Sequence, residues 1–316
     1  MFRRFSSFPP EAGLTAVVLF WGFNFAAIKV PLAVMPPLVV NVLRFSLSAA
    51  VLGALHAAAC RARGVSVFET FKAGVWSVIG LGMLGQVTYQ VGFILGIDRT
   101  TAGAAAILIA ASPLVTAATG HALGIDRLRA AGWAGFGLSL VGVALVVLAR
   151  PDVAAGETPS DAVGIALLLG AAAAWGLATV WSRTLLDRGA SALGLSFWGV
   201  LSAVPILAAI AVPDFLAMSW SGVGLPEWAA IVYSGSLSTG VAYWLWYDAV
   251  QKGGPARAAA FSNLTPFVGV AAGVGFLGEP FVPLQVAGGV LVVAGLVVMR
   301  RGDRRRAVLA EVAAIP

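Results

Sequence analysis

Asn41, Arg44 and Ser48 recur at i, i+3 and i+7, a spacing that sets an amide, a guanidinium and a hydroxyl on one face of a helix. A guanidinium in that setting either meets the carboxylate of a ligand or ties helices together through their carbonyls; a third reading is a structural Arg that snorkels or caps a neighbouring helix. Lys29 lies nearer the end of its apolar run, where snorkelling outweighs ligand binding. Neutral polar residues form further stripes. Gln86, Tyr89 and Gln90 share a face at i, i+3 and i+4. Ser236, Thr239 and Tyr243 recur at i, i+3 and i+7, and Trp246 and Tyr247 continue that stripe. Trp21 with Asn24, and Trp175 with Thr179, add shorter ones, and Asn263 stands close to Pro266. Amides and hydroxyls left without partners in hydrocarbon are costly, so these faces are expected to point inward. There they either line a pathway or bond one helix to the next.

The carboxylates lie elsewhere. All fourteen Asp and Glu fall in loops, tails or near span ends, as Asp126, Asp248 and Glu279 do. A proton relay built on an intramembrane carboxylate is therefore disfavoured. His121, or backbone carbonyls at a broken helix, leave another route by which an ion can couple. None of Lys29, Lys72 and Lys252 is followed by Ser or Thr, so no Walker-type phosphate loop exists. Neither His56 nor His121 opens an H-E-x-x-H, no G-x-S-x-G occurs, and Cys60 is the only cysteine. No enzyme activity, metal or cofactor is expected. The sequon Asn263-Leu264-Thr265 lies inside an apolar run and precedes Pro266, so glycosylation is discounted.

The elements that hold these residues must be membrane spans. Of the 316 residues, 59% are hydrophobic and 11% charged, with mean hydropathy +0.93, whereas soluble domains carry about 25% charged residues. Ten apolar runs stand out, near 12–34, 37–59, 73–96, 101–123, 129–149, 162–182, 190–212, 227–250, 255–277 and 282–300. The polar, proline-broken stretch 150–161 reads as a linker, and 301–316 as a cytoplasmic tail. With the N-terminus in the cytoplasm, sixteen Lys and Arg fall on the cytoplasmic side and two, Arg99 and Arg150, on the other. That bias predicts N- and C-termini inside, in a cytoplasmic (inner) membrane. The net charge of +6 is thus topology and headgroup anchoring rather than a nucleic-acid surface. Cleavage of the first span as a signal peptide is not expected, since the run is long and no A-x-A site follows.

The two halves repeat. Pro113 and Pro266, Asp126 and Glu279, Gly135 and Gly288, and Gly142 and Gly295 are each 153 residues apart. At 154, Trp21-Gly22 meets Trp175-Gly176 and Lys29 meets Arg183. Five spans per half is an odd number, so the second half must insert upside down, an arrangement found in secondary transporters. Pro113 and Pro266 read as mid-span kinks, either hinges or static bends, with Ser112 and Asn263 placed to satisfy the freed carbonyls.

Trp21-Gly22-Phe23-Asn24-Phe25 with Lys29, Arg44-Phe45, Thr101-Ala102-Gly103-Ala104-Ala105 with Pro113, and Pro266, Leu277-Gly278-Glu279 and Gly288 together resemble the drug/metabolite transporter superfamily, in its ten-helix EamA-type form. The resemblance covers about residues 14–299; Gly124-Ile125-Asp126 departs from the family's usual Gly-Glu. It implies an all-α polytopic membrane protein of ten transmembrane helices in two inverted five-helix repeats, 12–149 and 162–300. It also implies export of small metabolites, with amino acids, including aromatic ones, as the expected class. Facilitated movement or exchange by alternating access is expected. The partners would be a small-molecule substrate and the lipid bilayer, and the sequence gives no oligomeric state. A non-transporting receptor or scaffold is the alternative, as is a carrier of drugs or nucleotide sugars; the short loops weigh against a receptor and the scarcity of central cations against nucleotide sugars. The expected substrate pathway is Trp21, Asn24, Arg44, Gln86, Tyr89, Gln90, Trp175, Thr179, Ser236, Thr239, Tyr243 and Asn263.

Overall fold

Pro36 stands in an extended turn and Pro37 at the first helical position, where a missing N–H is no loss, and together they start the helix Pro37–Arg63. Gly64, at φ 66°, ends it in the left-handed conformation that a residue without Cβ adopts readily. This computed structural model describes residues 10–122, 130–149 and 162–313, and among the described residues every regular element is helical. In chain order these are α1 (Pro10–Ala27), α2 (Lys29–Leu32), α3 (Pro37–Arg63), α4 (Val75–Gly82), α5 (Tyr89–Asp98), α6 (Ala102–Ile109) and α7 (Ser112–Ala122). They continue as α8 (Ala130–Ala149), α9 (Ala162–Asp187), α10 (Ala192–Ala217), α11 (Leu225–Tyr233), α12 (Ala242–Ser262), α13 (Thr265–Leu277) and α14 (Pro283–Ala313). Two π-helical segments, Met83–Thr88 and Ser234–Val241, join α4 to α5 and α11 to α12. The repeat offset of 153 carries the first onto 236–241, inside the second.

Five stretches are long and apolar enough to cross a bilayer: Glu11–Leu32, Pro37–Arg63, Val75–Asp98, Ala162–Asp187 and Ala192–Ala217. Other spans are built from shorter pieces, and two of these correct the expectation of mid-span proline kinks. The chain breaks at two-residue turns, 110–111 and 263–264, and Pro113 and Pro266 are each the second residue of the helix that restarts, α7 and α13. Near a helix N-terminus the absent N–H removes no hydrogen bond, so each proline starts a helix rather than bending one. Helical backbone also continues through Gly253-Gly254-Pro255, where a short connection is expected, and through 301–313, set apart above as a tail. The linker 150–161, Asp126 and the side chain of His121 lie outside the described residues.

Packing gives the relation between the halves. Along α8 and α14, Gly142 faces Gly288 while Gly135 faces Gly295, and between them Ser139 Oγ donates to Val292 O at 3.0 Å. The two helices therefore run antiparallel. Shifting each residue by the 153 offset turns each contact into the other, so a two-fold axis crosses the pair at right angles. An axis perpendicular to spanning helices lies in the membrane plane, which is the inverted-repeat geometry. Small residues let the backbones approach this closely. A Cβ at Gly288 would come within 2.7 Å of Gly142 O, and overpacking of this kind costs about 1–3 kcal/mol. Gly288→Leu is expected to lower the midpoint of thermal unfolding in detergent. Gly137→Leu, whose Cβ meets nothing within 4 Å, is expected to leave it unchanged.

Two apolar clusters fill the ends of the bundle. One joins Phe25, Ile28, Met35, Val39, Phe93, Ile97, Leu108, Leu168 and Ile231, toward the face whose loops are poor in Arg. The other joins Leu14, Phe45, Leu52, Val78, Leu185, Leu195, Val200 and Trp246, toward the Arg-rich face. The polar stripes converge between them.

Candidate functional site

Trp21 and Trp175 hold equivalent places in the two halves, and their rings meet edge to face with centroids 5.5 Å apart. Gln90 and Tyr243, 153 residues apart, are hydrogen-bonded, the amide Nε2 donating to the phenol oxygen at 2.5 Å. A residue touches its own repeat mate only where the two-fold axis passes, so the axis runs through this point. A cavity surrounds it, with about 620 Å³ of space unfilled by atoms, its mouth included.

The aromatic rings make one wall. Tyr89 lies against Trp175 at 5.1 Å, Trp175 against Tyr243 at 5.4 Å, and Trp21 against Trp246 at 5.2 Å. Trp21 is held in place by its indole N–H, which donates to Ser238 O at 3.0 Å. Asn24 Oδ1 accepts from the Ser234 hydroxyl, tying α1 to the second π segment.

Arg44 makes the other wall. It is 1% exposed. Its NH1 donates to Asn41 Oδ1 at 3.3 Å and NH2 to Thr239 Oγ1 at 3.1 Å, so it ties α3 to the second π segment. Its Nε has no partner, and Phe93 presents a ring face 6.0 Å from the guanidinium carbon. Among the described residues no carboxylate lies within ion-pair distance of Arg44, and none lines the cavity. An Arg stays charged in a protein interior, and a buried charge without a counter-ion costs several kcal/mol. Two neutral hydrogen bonds and one ring face offset only part of that. An anion entering the cavity would supply the rest.

Eight of the residues expected to line a pathway do border this cavity: Trp21, Asn24, Arg44, Tyr89, Gln90, Trp175, Thr239 and Tyr243. Four do not. Thr179 is buried, its hydroxyl turned back to Trp175 O at 2.9 Å. Gln86 is turned to the Tyr247 hydroxyl. Asn263 is buried in the turn before α13, while its neighbours Ser262 and Thr265 reach the cavity. Ser236 is replaced by Ser238, and the cause is the π segment. Bonds of i→i+5 type add a residue to the turn, so the face that bears Thr239 and Tyr243 continues to Ser238 and Ser234. Lys29 stays outside the cavity, close enough to Asp98 for their charges to interact. Its repeat mate Arg183 donates to Val250 O at 3.0 Å and pairs with Asp187 at 2.9 Å.

The sequence profile of the EamA-like transporter family matches residues 12–148 and again 162–301. The chain belongs to the EamA-like transporter family. It is similar, at 28% identity over 298 residues, to a Salmonella typhimurium protein named probable amino-acid metabolite efflux pump, covering 92% of this chain and 94% of that one. The Escherichia coli protein of the same name is 27% identical over 297 residues, with 92% and 94% covered. A probable terminal-alkyne amino-acid exporter of Streptantibioticus cattleyicolor is 27% identical over 232 residues, with 72% and 74% covered. A solved crystal structure shares the fold with a TM-score of 0.65 at 22% identity, over 93% of this chain and 96% of the other. This EamA-like protein is thus a polytopic membrane transporter.

In this EamA-like transporter one contact escapes sequence patterns. Glu279, from the turn after α13, accepts the backbone N–H of Ala102 at 2.6 Å and of Gly103 at 3.0 Å. Gly278, at φ 67°, turns the chain so that the carboxylate reaches back to the first turn of α6. Gly273 and Gly103 leave the space it occupies, since a Cβ on either would crowd the carboxylate or the Gln285 amide. A carboxylate on free N–H groups at a helix N-terminus is a strong pairing. It fastens the second half to the first on the Arg-poor face. The sequence marked Glu279 as the repeat mate of Asp126 and as part of the Leu277-Gly278-Glu279 motif, but nothing local says which helix end an acid will cap.

Proposed function

We propose that the protein exports small carboxylate-bearing metabolites, amino acids foremost, from the cytoplasm across the inner membrane. The observation that carries this reading is the fully buried Arg44, without a counter-ion, opening on an aromatic cavity at the two-fold axis. A carboxylate completes the guanidinium and the rings receive an apolar side chain. The names of the Salmonella, Escherichia and Streptantibioticus relatives support the same class. The sixteen-to-two division of Lys and Arg supports termini in the cytoplasm. A cavity without Asp or Glu supports facilitated movement or exchange over proton antiport. Alternating access then consists of opening the axis cavity first to one face and then to the other, with the symmetric breaks before Pro113 and Pro266 as the hinges.

The test is counterflow in proteoliposomes loaded with each of a panel of amino acids, with and without a pH gradient. We expect at least one amino acid to accumulate by exchange, at a rate the gradient leaves unchanged. No counterflow for any of them refutes the substrate class, and strict dependence on the gradient refutes the uncoupled mechanism.

A further inference from the structure

A two-fold scaffold offers the same groups on both sides of its axis, yet an amino acid has two unlike ends. The halves diverge at the residues that meet such a ligand. Gly82 and Gly235 are repeat mates, and Gly82 packs on Gly199 O as Gly235 packs on Arg44 O, so Arg44 corresponds to Gly199, while Gln90 corresponds to Tyr243. Both strongly polar recognition groups therefore come from the first half.

Gln90 is 2% exposed and borders the cavity. Its Nε2 is engaged by the Tyr243 hydroxyl, while its Oε1 has no partner. An unmatched buried acceptor calls for a donor. Tyr89, Trp175 and Tyr243 line the cavity beside it, and aromatic rings attract a cation. Arg44 supplies a donor for one end of a ligand, and Gln90 an acceptor for the other.

We infer that Gln90 is the specificity residue for the ammonium group: its Oε1 accepts an N–H of an α-amino acid whose carboxylate sits on Arg44. The Gln90 amide N–H donates to the Tyr243 phenol oxygen, which leaves the amide oxygen free to accept from the ligand. The cavity thereby selects zwitterions over plain carboxylic acids of the same shape. This rests on the proposed carboxylate site at Arg44.

The experiment compares counterflow of L-phenylalanine and of 3-phenylpropionate, which lacks the ammonium, in wild type, Gln90→Leu and Gln90→Glu. Wild type is expected to prefer phenylalanine by about tenfold or more, the size of one hydrogen bond to a charged group. Gln90→Leu is expected to abolish that preference by lowering phenylalanine exchange and leaving 3-phenylpropionate within about twofold, since the bond to Tyr243 is lost for both solutes alike and the ammonium contact for phenylalanine alone. Gln90→Glu keeps an acceptor and adds a negative charge, so the preference should persist or grow. Equal loss of both solutes in Gln90→Leu, no change in either, or a preference that collapses in Gln90→Glu overturns the inference alone. Wild type that exchanges neither solute overturns the carboxylate site, and the inference with it.

Discussion

Arg44→Met is expected to leave the protein folded and at least as stable, and to stop transport. The guanidinium is buried and lacks a counter-ion, so it is held in the bilayer interior at a net cost. Replacing even a buried ion pair by apolar side chains of similar volume is often neutral or stabilising by about 1–4 kcal/mol, and a buried charge without a counter-ion has less to lose. The bonds to Asn41 and Thr239, both neutral groups, and the contact with the Phe93 ring are lost in exchange. Transport should move the other way. A solute carboxylate that enters the cavity of Arg44→Met finds no cation, and loss of a buried charged partner costs about 3–5 kcal/mol. Counterflow should fall by at least a hundredfold while the thermal midpoint in detergent holds or rises. Normal flux with a large loss of stability would assign Arg44 to the scaffold instead.

The second large effect concerns Glu279. Each of its two bonds to the start of α6 involves an ionised acceptor and is worth about 1.5–3 kcal/mol. The bonds exist only while α6 and the turn after α13 are together, so they favour the state closed on the Arg-poor face. Glu279→Ala should shift that equilibrium by a hundredfold or so, following from about 3 kcal/mol. The native Cys60 is buried at 1% exposure and is removed by Cys60→Ser. In that background Ala110→Cys places a thiol at the cavity wall. Addition of Glu279→Ala should then speed its labelling by a membrane-impermeant maleimide from the Arg-poor side. Unchanged labelling would reduce Glu279 to a local cap.

Legibility from the sequence followed the range of each interaction. The repeat could be read because Trp21 with Trp175, Gly135 with Gly288 and Gly142 with Gly295 keep a near-constant offset, and those residues contact each other or each other's mates. Arg44 stood out because a cation in hydrocarbon needs a reason. The stripes pointed inward for the same reason, and Gln90, Thr239 and Tyr243 all reach the cavity. Two of the failures share one origin, the assumption of unbroken α-helix. Ser236 lost its place to Ser238 because the backbone widens to a π-helix at 234–241. The prolines were read as kinks because the turns at 110–111 and 263–264, made of ordinary residues, leave no signal. The Glu279 contact joins residues 177 positions apart, beyond any periodicity.

The most direct test of the carboxylate-on-Arg44 account is counterflow of L-phenylalanine against L-phenylalaninamide in wild-type proteoliposomes. The two solutes share a side chain and an amine and differ in the carboxylate alone. The account predicts exchange of the acid and at most a hundredth of that rate for the amide, as loss of a buried charge pair requires. Equal exchange of acid and amide would contradict it.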